Sequence, residues 1–519
     1  MTILLTKIDY LVLLLYIVAL FIFGFYLNRR STASTDIFLG GRSLKWWQIG
    51  FSMFSANAGA TMLIGLSSLG FSHGVVGSNF EWLAWIFLLL LAMFFFPRYI
   101  AAGIHTIPQF LLVRYGKRSY NFLVIYSLVS ILIVWLASAL YAGGLVIAQV
   151  FHRPVMESIS VIALIAASYT AIGGLKAVVR TGIFQSVIII ISSVILTILA
   201  LQKVTAIPGW AQDTPVDYWK LFHPRSDPEY SWLAIVMGYP VVAIYYWCAD
   251  QTIVQKVLAA KDIRHGQYGI MLIAAMKIIT PLIFVLPGII CFILFRDTAT
   301  PDNAYITMVE KLMPAGLRGL CIAALIAALI DTVSSGLNSF STVFTLDVVG
   351  QFTKLEEPSK RTIGKWVTVL AAFLGVGVAA LFARSGKGLF ELSQGLVSIL
   401  APPLSVVFLG GIFWKRVNKL AAEVVLYGGG LICVVIGSCY VLNFPYKGYW
   451  PHFLLLSVYI FIGLSIGMVL ITLLSAPDKN TASPTVWTSS RPLFRNSSRV
   501  WMGWGLLALV MIIIYIAFK

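Results

Sequence analysis

The sequence predicts an all-α polytopic membrane protein, and three observations point to this class. Of the 519 residues, 59% are hydrophobic and only 11% are charged, whereas a soluble globular chain is about a quarter charged. Many apolar stretches reach the ~20 residues that an α-helix needs to cross a bilayer. The longest polar stretches, about 203–229 and 476–498, have the length of loops. We therefore predict membrane spans joined by loops, with no soluble domain.

About fourteen apolar stretches are long enough to be transmembrane helices. They lie at about 9–28, 46–72, 78–104, 119–150, 154–174, 179–202, 230–256, 267–295, 308–346, 362–384, 387–414, 419–441, 452–475 and 500–518. The first stretch lacks a small-residue cleavage site after a short apolar core. We therefore interpret it as a retained helix and not as a signal peptide.

The distribution of Lys and Arg predicts the orientation. With the N-terminus outside and the spans alternating, roughly 24 basic residues fall in cytoplasmic loops and about 12 fall outside, as the positive-inside rule expects. The prediction is a multi-pass protein of the plasma (inner) membrane with both termini on the extracytoplasmic side. Dispersed loop residues account for the net charge of +17, so a nucleic-acid partner is not expected.

Sequence signatures of enzymes and of structural metal centres are absent. The chain contains no HExxH or P-loop pattern, each of which would indicate a specific catalytic chemistry. The five cysteines lie within or beside apolar spans without CxxC or Cys/His spacing, and we expect them to be buried free thiols. The sequence predicts a protein that is not an enzyme.

Two spans contain interruptions that a plain membrane anchor does not need. The second span carries the small and polar run 55–59, SANAG, and the seventh carries Pro240 followed by Asp250 and Gln251. Pro kinks or breaks a helix, and interrupted segments at matching positions of two halves are typical of inverted-repeat transporters. Backbone carbonyls freed at such breaks can ligate a cation. The alternative is ordinary helix packing through small residues.

Asp331 lies in the middle of the apolar ninth span, and Thr332, Ser334 and Ser335 follow it directly. A charged side chain near the bilayer centre costs roughly 2.5–3.5 kcal/mol on the mildest scale, so it requires a partner. A cation held by carboxylate and hydroxyl oxygens is the simplest partner. A protonated Asp that donates to a neighbouring helix is the alternative.

Other polar side chains in or beside the spans suggest a second ligand. Glu81 begins the third span, Lys277 lies inside the eighth, and Gln394 lies at mid-depth in the eleventh. Each could be a satisfied internal hydrogen bond. Together with nearby aromatic residues they suit a polyol, whose hydroxyls bind polar groups and whose apolar face packs on a ring. The aromatic residues are Phe80, Tyr246, Trp247 and Phe390.

These motifs make the chain resemble the sodium/solute symporter family, close to its sodium–glucose cotransporter branch. The resemblance covers nearly the whole length, with several long motifs in the same order. The motifs are DIFLGGRS (36–43) with Trp46-Trp47, Phe80-Glu81-Trp82, GGLKAV (173–178), YWCADQ (246–251) with Ile253-Val254-Gln255, Leu337-Asn338-Ser339, FTLD (344–347), Ala401-Pro402-Pro403 and IFWKRVN (412–418).

The resemblance implies a LeuT-like fold with alternating access. Its core would be two inverted five-helix repeats, with one extra helix before the core and three after it. The implied units are 1–45 (leading helix and first cytoplasmic loop), 46–202 (first repeat), 203–229 (extracellular loop), 230–414 (second repeat) and 415–519 (three C-terminal helices and a cytoplasmic loop).

By the same resemblance, a Na⁺ site lies where the broken second span meets the ninth. Its ligands would be the carbonyls of Ser55, Ala58 and Ala328 and the side chains of Asp331 and Thr332. Relatives usually carry two hydroxyl residues at the last two positions, so Asp331 adds a formal negative charge. That charge favours tighter Na⁺ binding, or it titrates and admits a proton as the coupling ion.

The sugar site carries over in part. Matching positions are Asn57, Glu81, Lys277 and Gln394, with Trp247 and Phe390 as walls and Tyr246 and Phe80 as aromatic gates. Met62 and Ala84 stand where relatives have polar contacts, so two hydroxyl contacts are missing. A site that bonds a hydroxyl discriminates strongly against its loss, and we expect a sugar or related polyol that need not be glucose or galactose.

One further departure concerns stoichiometry. Relatives that use a second sodium ion carry Asp in a Thr-Asp-x-x-Gln motif in the sixth span, where this chain has Thr181-Gly182-Ile183-Phe184-Gln185. The missing carboxylate favours a single coupling ion.

The sequence thus predicts a Na⁺-coupled symporter that imports a sugar or polyol, with the solute and the lipid bilayer as partners and no obligate protein partner. The alternatives are a symporter for inositol, an amino acid or another non-sugar solute, a proton-coupled sugar transporter, and a transporter-like receptor.

Overall fold

The structure, a computed structural model, describes residues 5–29, 41–353, 356–384, 389–446, 448–477, 485–486 and 498–518. Over these residues it is helical, and β-structure is confined to two isolated bridges. Ten helical stretches within the described ranges are long and apolar enough to cross a membrane. The all-α polytopic class is therefore confirmed, while the count of fourteen spans stays a prediction.

Twenty-one α-helices are labelled here in chain order over the described residues. Those of the first half are α1 (Lys7–Arg29), α2 (Trp46–Asn57), α3 (Ala60–His73), α4 (Asn79–Trp82), α5 (Ala84–Leu90), α6 (Phe96–Ala101), α7 (Ile107–Tyr115), α8 (Lys117–Ser130), α9 (Ser138–Phe151) and α10 (Val155–Thr205). Those of the second half are α11 (Tyr239–Ala243), α12 (Gln251–Leu258), α13 (Ile263–Phe295), α14 (Ala304–Leu312), α15 (Leu317–Val343), α16 (Gly350–Phe352), α17 (Glu357–Ala383), α18 (Leu389–Phe413), α19 (Lys419–Val441), α20 (Phe453–Leu474) and α21 (Ser498–Ala517).

Shorter segments join or extend these helices. Two 3₁₀ turns lie at Gly74–Ser78 and Pro301–Asn303. Wider π-helical turns lie at Leu91–Phe95, Ile131–Ala137, Ala234–Gly238, Ile244–Ala249 and Phe344–Val349. Such turns are uncommon and often occur at functional sites.

The second predicted span is broken where the sequence indicates. Helix α2 ends at Asn57, Ala58 (ψ 38°) and Gly59 (ψ 170°) leave the helical conformation, and α3 begins at Ala60. Small and polar residues with weak helix propensity occupy this point, so little local preference opposes the break.

The seventh span is broken at Asp250, one of the residues that the sequence singles out, and not at Pro240. Pro240 lies in the first turn of α11, where its missing N–H costs no hydrogen bond. The helical path ends instead at Asp250, which is extended (ψ 128°) and accepts hydrogen bonds from the N–H groups of Thr252 and Ile253 at 2.8 and 3.2 Å. Asp250 therefore caps α12. The predicted interruption of the seventh span lies at Asp250–Gln251, whereas the break predicted at Pro240 is wrong because the preceding π-turn lets the helix continue through the proline.

The stretch Val155–Thr205 is one helix by its hydrogen bonds, where the sequence predicts two spans. A straight 51-residue helix would be about 77 Å long, far more than a bilayer core of ~30 Å. Its two parts approach the same region of α15: Gly143 packs between Ile162 and Leu329, while Gly182 lies against Asp331. The stretch therefore bends between Ile162 and Gly182.

Helix α15 forms the centre of the molecule and contacts α1, α2, α9, α10 and α17. In its most apolar part 94% of the residues are buried, against 22% in α21. Ten of its 27 residues are Ala, Gly or Ser, and such small residues let neighbouring helices approach closely. It begins at Leu317 and not at 308, because Gly316 adopts φ +86°. The carboxylate of Asp9 in α1 accepts from the N–H groups of Gly316 and Gly319, both at 2.8 Å, which stabilises this helix N-terminus.

The polar loop before the seventh span is held by Asp227. Its carboxylate accepts from the N–H groups of Glu229 and Tyr230 at 2.9 and 2.8 Å and contacts Nδ1 of His223 at 2.8 Å. Burial acts to raise the pKa of Asp227, but these hydrogen bonds outweigh it, so the pKa lies below its ordinary value. The ionised carboxylate therefore contributes to the order of this loop.

Candidate functional site

The break between α2 and α3 lies directly against α15. The hydroxyl of Thr332 donates to the carbonyl of Ala328 at 2.9 Å and approaches the carbonyl of Ala56 at 3.3 Å. A methyl group at Gly59 would overlap Thr332 Oγ1, so only glycine permits this approach. The broken second span and the ninth span therefore meet, as the sequence predicts.

Asp331 is buried beside this break with a relative exposure of 2%. Its carboxylate neighbours the hydroxyl of Ser55, and its Oδ2 has no hydrogen-bond partner among the described residues. The hydroxyl of Ser334, three residues after Asp331 on α15, is likewise buried and unpartnered within the described part of the chain. Buried polar atoms are normally satisfied. These atoms offer oxygen ligands of the kind that a hard cation prefers.

The predicted sodium ligands converge on this place, with one difference in detail. Ser55 and Asp331 approach each other, and Thr332 and Ala328 lie on the next face of α15. The α2 carbonyl nearest to the Thr332 hydroxyl belongs to Ala56, whereas the sequence predicts Ser55 and Ala58. The N–H of Ala58 donates to Phe54 at 2.7 Å, so the helical turn before it is retained and Ala56 faces α15.

The carboxylate of Asp331 occupies the space in front of Gly182. A methyl group at Gly182 would lie 3.0 Å from Asp331 Oδ1 and 2.5 Å from Ser55 Oγ. An aspartate at 182, the residue of the two-sodium motif, would therefore begin where the Asp331 carboxylate already lies. The negative charge missing from α10 is present in the same space, but it comes from α15.

A second polar cluster lies on the other side of Asn57. The ammonium of Lys277 donates to Asn57 Oδ1 and to Glu81 Oε2, and it lies 5.1 Å from the ring centre of Trp247. Asn57 Nδ2 in turn donates to the Tyr246 hydroxyl at 2.8 Å. Lys277 and Glu81 are each 1% exposed, which makes them a buried ion pair at the end of α2.

A cavity of about 60 Å³ separates this cluster from Thr332. Ligand pockets of drug-sized molecules are ~300–1,000 Å³, so the cavity in this structure has room only for water-sized groups. Its walls are Ala56, Asn57, Gly59, Met62, Val134, Trp135, Tyr246, Thr332, Gln394 and Val397. The small cavity and the predicted cation site therefore share α2, the break and Thr332.

A wider cavity of about 730 Å³ lies further along α3. Ser68, Asp302 and Trp450 are among the residues that line it, and Ser68 Oγ donates to Asp302 at 3.1 Å. Met62 lines the small cavity and Ser68 the large one, a separation of about 9 Å along the helix. The two cavities are stacked along α3.

The structure brings most of the predicted sugar-site residues together. Asn57, Met62, Tyr246 and Gln394 line the small cavity, and Gln394 Nε2 contacts the Met62 sulfur at 3.9 Å. Seen from the cavity, the next layer behind Asn57 and Tyr246 consists of Glu81, Lys277 and Trp247. Ala84 is fully buried.

Two predicted residues have a different outcome. The ring of Phe80 packs against Tyr230 and Tyr239 at 6.2 and 5.9 Å, and it does not line the small cavity. The side chain of Phe390 lies outside the described residues. The gate role of Phe80 therefore has no support from its position in this state.

Sequence reasoning missed several residues of the site. Trp135 stacks on Tyr246 with ring centres 5.6 Å apart and donates to Asp250 at 3.1 Å, and Val134 and Val397 complete the cavity wall. A tryptophan inside an apolar span was the available signal for Trp135. The two valines carry no signal, because an apolar residue in a span has the same appearance whether it faces lipid or a cavity.

Comparison with known proteins agrees with this architecture. A family model described as the sodium:solute symporter family matches residues 37–429. The chain is 30% identical over 451 residues to the sodium/glucose cotransporter of Vibrio parahaemolyticus, covering 80% of this chain and 83% of that relative. It is 33% identical over 479 residues to sodium/glucose cotransporter 4 of Mus musculus, covering 85% of this chain and 69% of the relative.

The fold also matches a solved structure. A Na⁺-coupled sialic acid symporter in a substrate-bound outward-open state superposes with a TM-score of 0.79 at 21% identity, covering 91% of this chain and 99% of that one. This likeness confirms the LeuT-like fold that the sequence predicts. The chain therefore belongs to the sodium:solute symporter family, and it is a multi-pass membrane transporter with sodium as its coupling ion, not an enzyme.

Proposed function

We propose that the chain imports a sugar or a related polyol together with one sodium ion by alternating access. The observation that carries the sugar assignment is the Lys277–Glu81–Asn57 cluster beside a cavity walled by Trp135 and Tyr246. An ammonium, a carboxylate and an amide offer donors and acceptors to ring hydroxyls, and stacked aromatic rings suit the apolar face of a sugar. The names of the curated relatives, sodium/glucose cotransporters, support the same substrate class.

Sodium binds, in this proposal, between the α2–α3 break and Asp331. The free Oδ2 of Asp331 and the hydroxyls of Ser55 and Thr332 supply oxygen atoms, and the main chain at the break supplies carbonyls. A buried carboxylate without a partner is costly, so a cation stabilises the contact between α2 and α15. The Asp331 carboxylate fills the space at Gly182, where relatives that use two sodium ions carry a second carboxylate. A single carboxylate in this space favours a single coupling ion.

The two ligands are coupled through α2. Asn57 is its last helical residue and belongs to the sugar cluster, while Ser55, half a turn earlier, faces Asp331. Sodium that fixes α2 against α15 therefore also orders Asn57 and Tyr246. Thermodynamic linkage makes the effect reciprocal, so sugar raises the affinity for sodium by the same factor.

The direction of transport follows from the expected orientation, with both termini on the extracytoplasmic side. The larger cavity at Ser68 and Trp450 then opens outward and is the entry route. One positive charge that moves inward gains about 2.3 kcal/mol per 100 mV of membrane potential. Departure to the cytoplasm requires the stacked pair Trp135–Tyr246 to separate, because these rings form one wall of the small cavity.

The cation proposal is tested by sugar uptake into proteoliposomes with sodium or potassium gradients. Asp331→Asn keeps the shape of the side chain and removes its charge, so the sodium-stimulated part of uptake is expected to disappear. The matched control is Asp213→Asn, the same change on an exposed loop residue, which is expected to transport like the wild type. Sodium-stimulated uptake that survives Asp331→Asn would remove this carboxylate from the coupling mechanism.

The substrate class is tested by thermal stabilisation of the purified transporter in sodium and in potassium buffer. Hexoses or polyols are expected to raise the melting temperature in sodium only. Stabilisation by amino acids alone would overturn the sugar assignment and leave the symporter itself intact. Equal stabilisation in both buffers, together with uptake driven by a pH gradient, would favour a proton as the coupling ion.

A further inference from the structure

Lys256 is a buried cation that neither the sugar cluster nor the sodium site uses. It lies in α12, is 1% exposed, and its ammonium donates to Ser335 Oγ at 2.9 Å. Ser335 follows Asp331 by four residues on α15, so both side chains lie on one face, about 6 Å apart along the helix. The ammonium is therefore held one helical turn from the candidate sodium carboxylate.

Lys256 has no carboxylate within ion-pair distance among the described residues, unlike Lys277, which pairs with Glu81. Two acidic residues, Asp250 and Asp331, lie close enough to interact with it electrostatically. The carboxylate of Asp250 is occupied by N–H groups of Thr252 and Ile253 and by the Trp135 indole. The oxygen that lacks a partner belongs to Asp331.

A buried lysine is normally paired, because an isolated charge in a low-dielectric region is costly. The flexible four-carbon stem of lysine lets its ammonium move between nearby acceptors. A movement of one helical turn, from Ser335 toward Asp331, would pair the two buried charges. Bound sodium would prevent that movement, since both cations compete for the same carboxylate.

We propose that Lys256 is an intramolecular counter-cation that pairs with Asp331 when sodium leaves and returns to Ser335 when sodium binds. This inference rests on the proposed sodium site at Asp331. The lysine keeps the empty site from holding an unpaired buried charge, and it lowers the affinity for sodium by competition. Sodium release into the cytoplasm becomes easier, because the carboxylate that loses sodium gains a new partner.

A purely structural role for Lys256 makes a different prediction. If the lysine only ties α12 to α15 through Ser335, its removal loosens the two helices and weakens sodium binding. If the lysine competes with sodium, its removal strengthens sodium binding. The sign of the change in sodium affinity therefore separates the two roles.

The experiment measures equilibrium binding of ²²Na⁺ to the purified full-length transporter, with no sugar present. Lys256→Met is expected to bind sodium at least ~tenfold more tightly, because a like charge within one turn is removed from a low-dielectric site. Lys256→Gln, which keeps a donor for Ser335, is a second variant in case the methionine variant folds poorly, and it is expected to shift affinity in the same direction. Lys261→Met removes an exposed lysine of the neighbouring loop and controls for net charge, with an expected shift below ~threefold.

Transport supplies an independent readout. Lys256→Met is expected to slow net sugar uptake more than sugar exchange, because net uptake requires sodium release and a return with an empty site. Unchanged or weaker sodium binding in both Lys256 variants would overturn the counter-cation proposal. Asp331→Asn alone tests the underlying site separately: if it leaves sodium binding intact, the proposed sodium site at Asp331 fails, whatever the lysine does.

Discussion

Removal of Lys277 should lower the free energy of unfolding, because it breaks the buried ion pair at the end of α2. The Glu81 carboxylate is 1% exposed, and in Lys277→Met it loses its cation. Oε1 of Glu81 already lacks a partner within the described chain. Breaking a buried pair by removing one member costs about 3–5 kcal/mol of unfolding free energy. Asn57 also loses the donor to its Oδ1, so the end of α2 loses part of its support.

The double variant Glu81→Gln/Lys277→Met removes both charges at once. Replacement of a buried pair by neutral groups is often close to neutral in stability, so we expect a total cost below about 2 kcal/mol, against 3–5 kcal/mol for each single variant. The coupling energy of this double-mutant cycle should then exceed ~3 kcal/mol.

The assay is denaturant-induced unfolding in detergent micelles, followed by tryptophan fluorescence and accompanied by sodium-driven sugar uptake. Costs of the two single changes that add in the double variant would refute the buried-pair reasoning. A double variant that is stable yet does not take up sugar supports a role of these charges in substrate binding. A stable double variant with wild-type uptake would refute that role.

Three further predictions follow from close contacts and from one loop carboxylate. Gly182→Asp should lower sodium-driven uptake at least ~tenfold, because two like charges would share one space; Asp331→Ser in the same chain should restore it. Gly59→Ala should cost about 1–3 kcal/mol of stability through overpacking against Thr332. The folded-state pKa of Asp227 is lowered. Its contribution to stability is therefore present above pH ~4 and is lost as pH falls through the native pKa. In Asp227→Asn, the melting temperature should consequently depend less on pH below pH ~4.

Each of these predictions has a contrary outcome that the same measurement detects. A pair Gly182→Asp/Asp331→Ser that stays inactive would mean that the two carboxylates are not interchangeable. An unchanged melting temperature in Gly59→Ala would mean that α2 and α15 have room to separate. A wild-type acid profile in Asp227→Asn would assign the acid sensitivity to other carboxylates.

Sequence reasoning located the break in the second span and singled out the buried Asp331, for one physical reason. A charge and a run of weak helix formers are conspicuous in an apolar span, where the bilayer disfavours both. The same reasoning failed at Pro240, because a π-turn in the preceding residues lets the helix continue through it. Asp250, the actual break, lies ten residues later, where a polar pair stands inside the predicted span.

Relations between helices could not be predicted from the sequence. The contact between Gly182 and Asp331 joins residues 149 positions apart, and the Lys256–Ser335 bond joins residues 79 positions apart. Lys256 falls at the end of the predicted span 230–256, where the sequence alone groups it with the basic residues of the cytoplasmic loops. Its burial becomes evident only when α12 is placed against α15.

The wide helical turns have a consequence for specificity. Trp135 and Tyr246, the two stacked rings of the cavity wall, both come from π-helical segments, Ile131–Ala137 and Ile244–Ala249. Such a turn contains one residue more than the α-helical path needs, so deletion of a single residue there would restore an ordinary turn and rotate the following side chains by about 100°. A different ring or an aliphatic group would then face the solute. Insertions and deletions in these two turns thus offer descendants of this transporter a route to new cargo without any substitution in the wall itself.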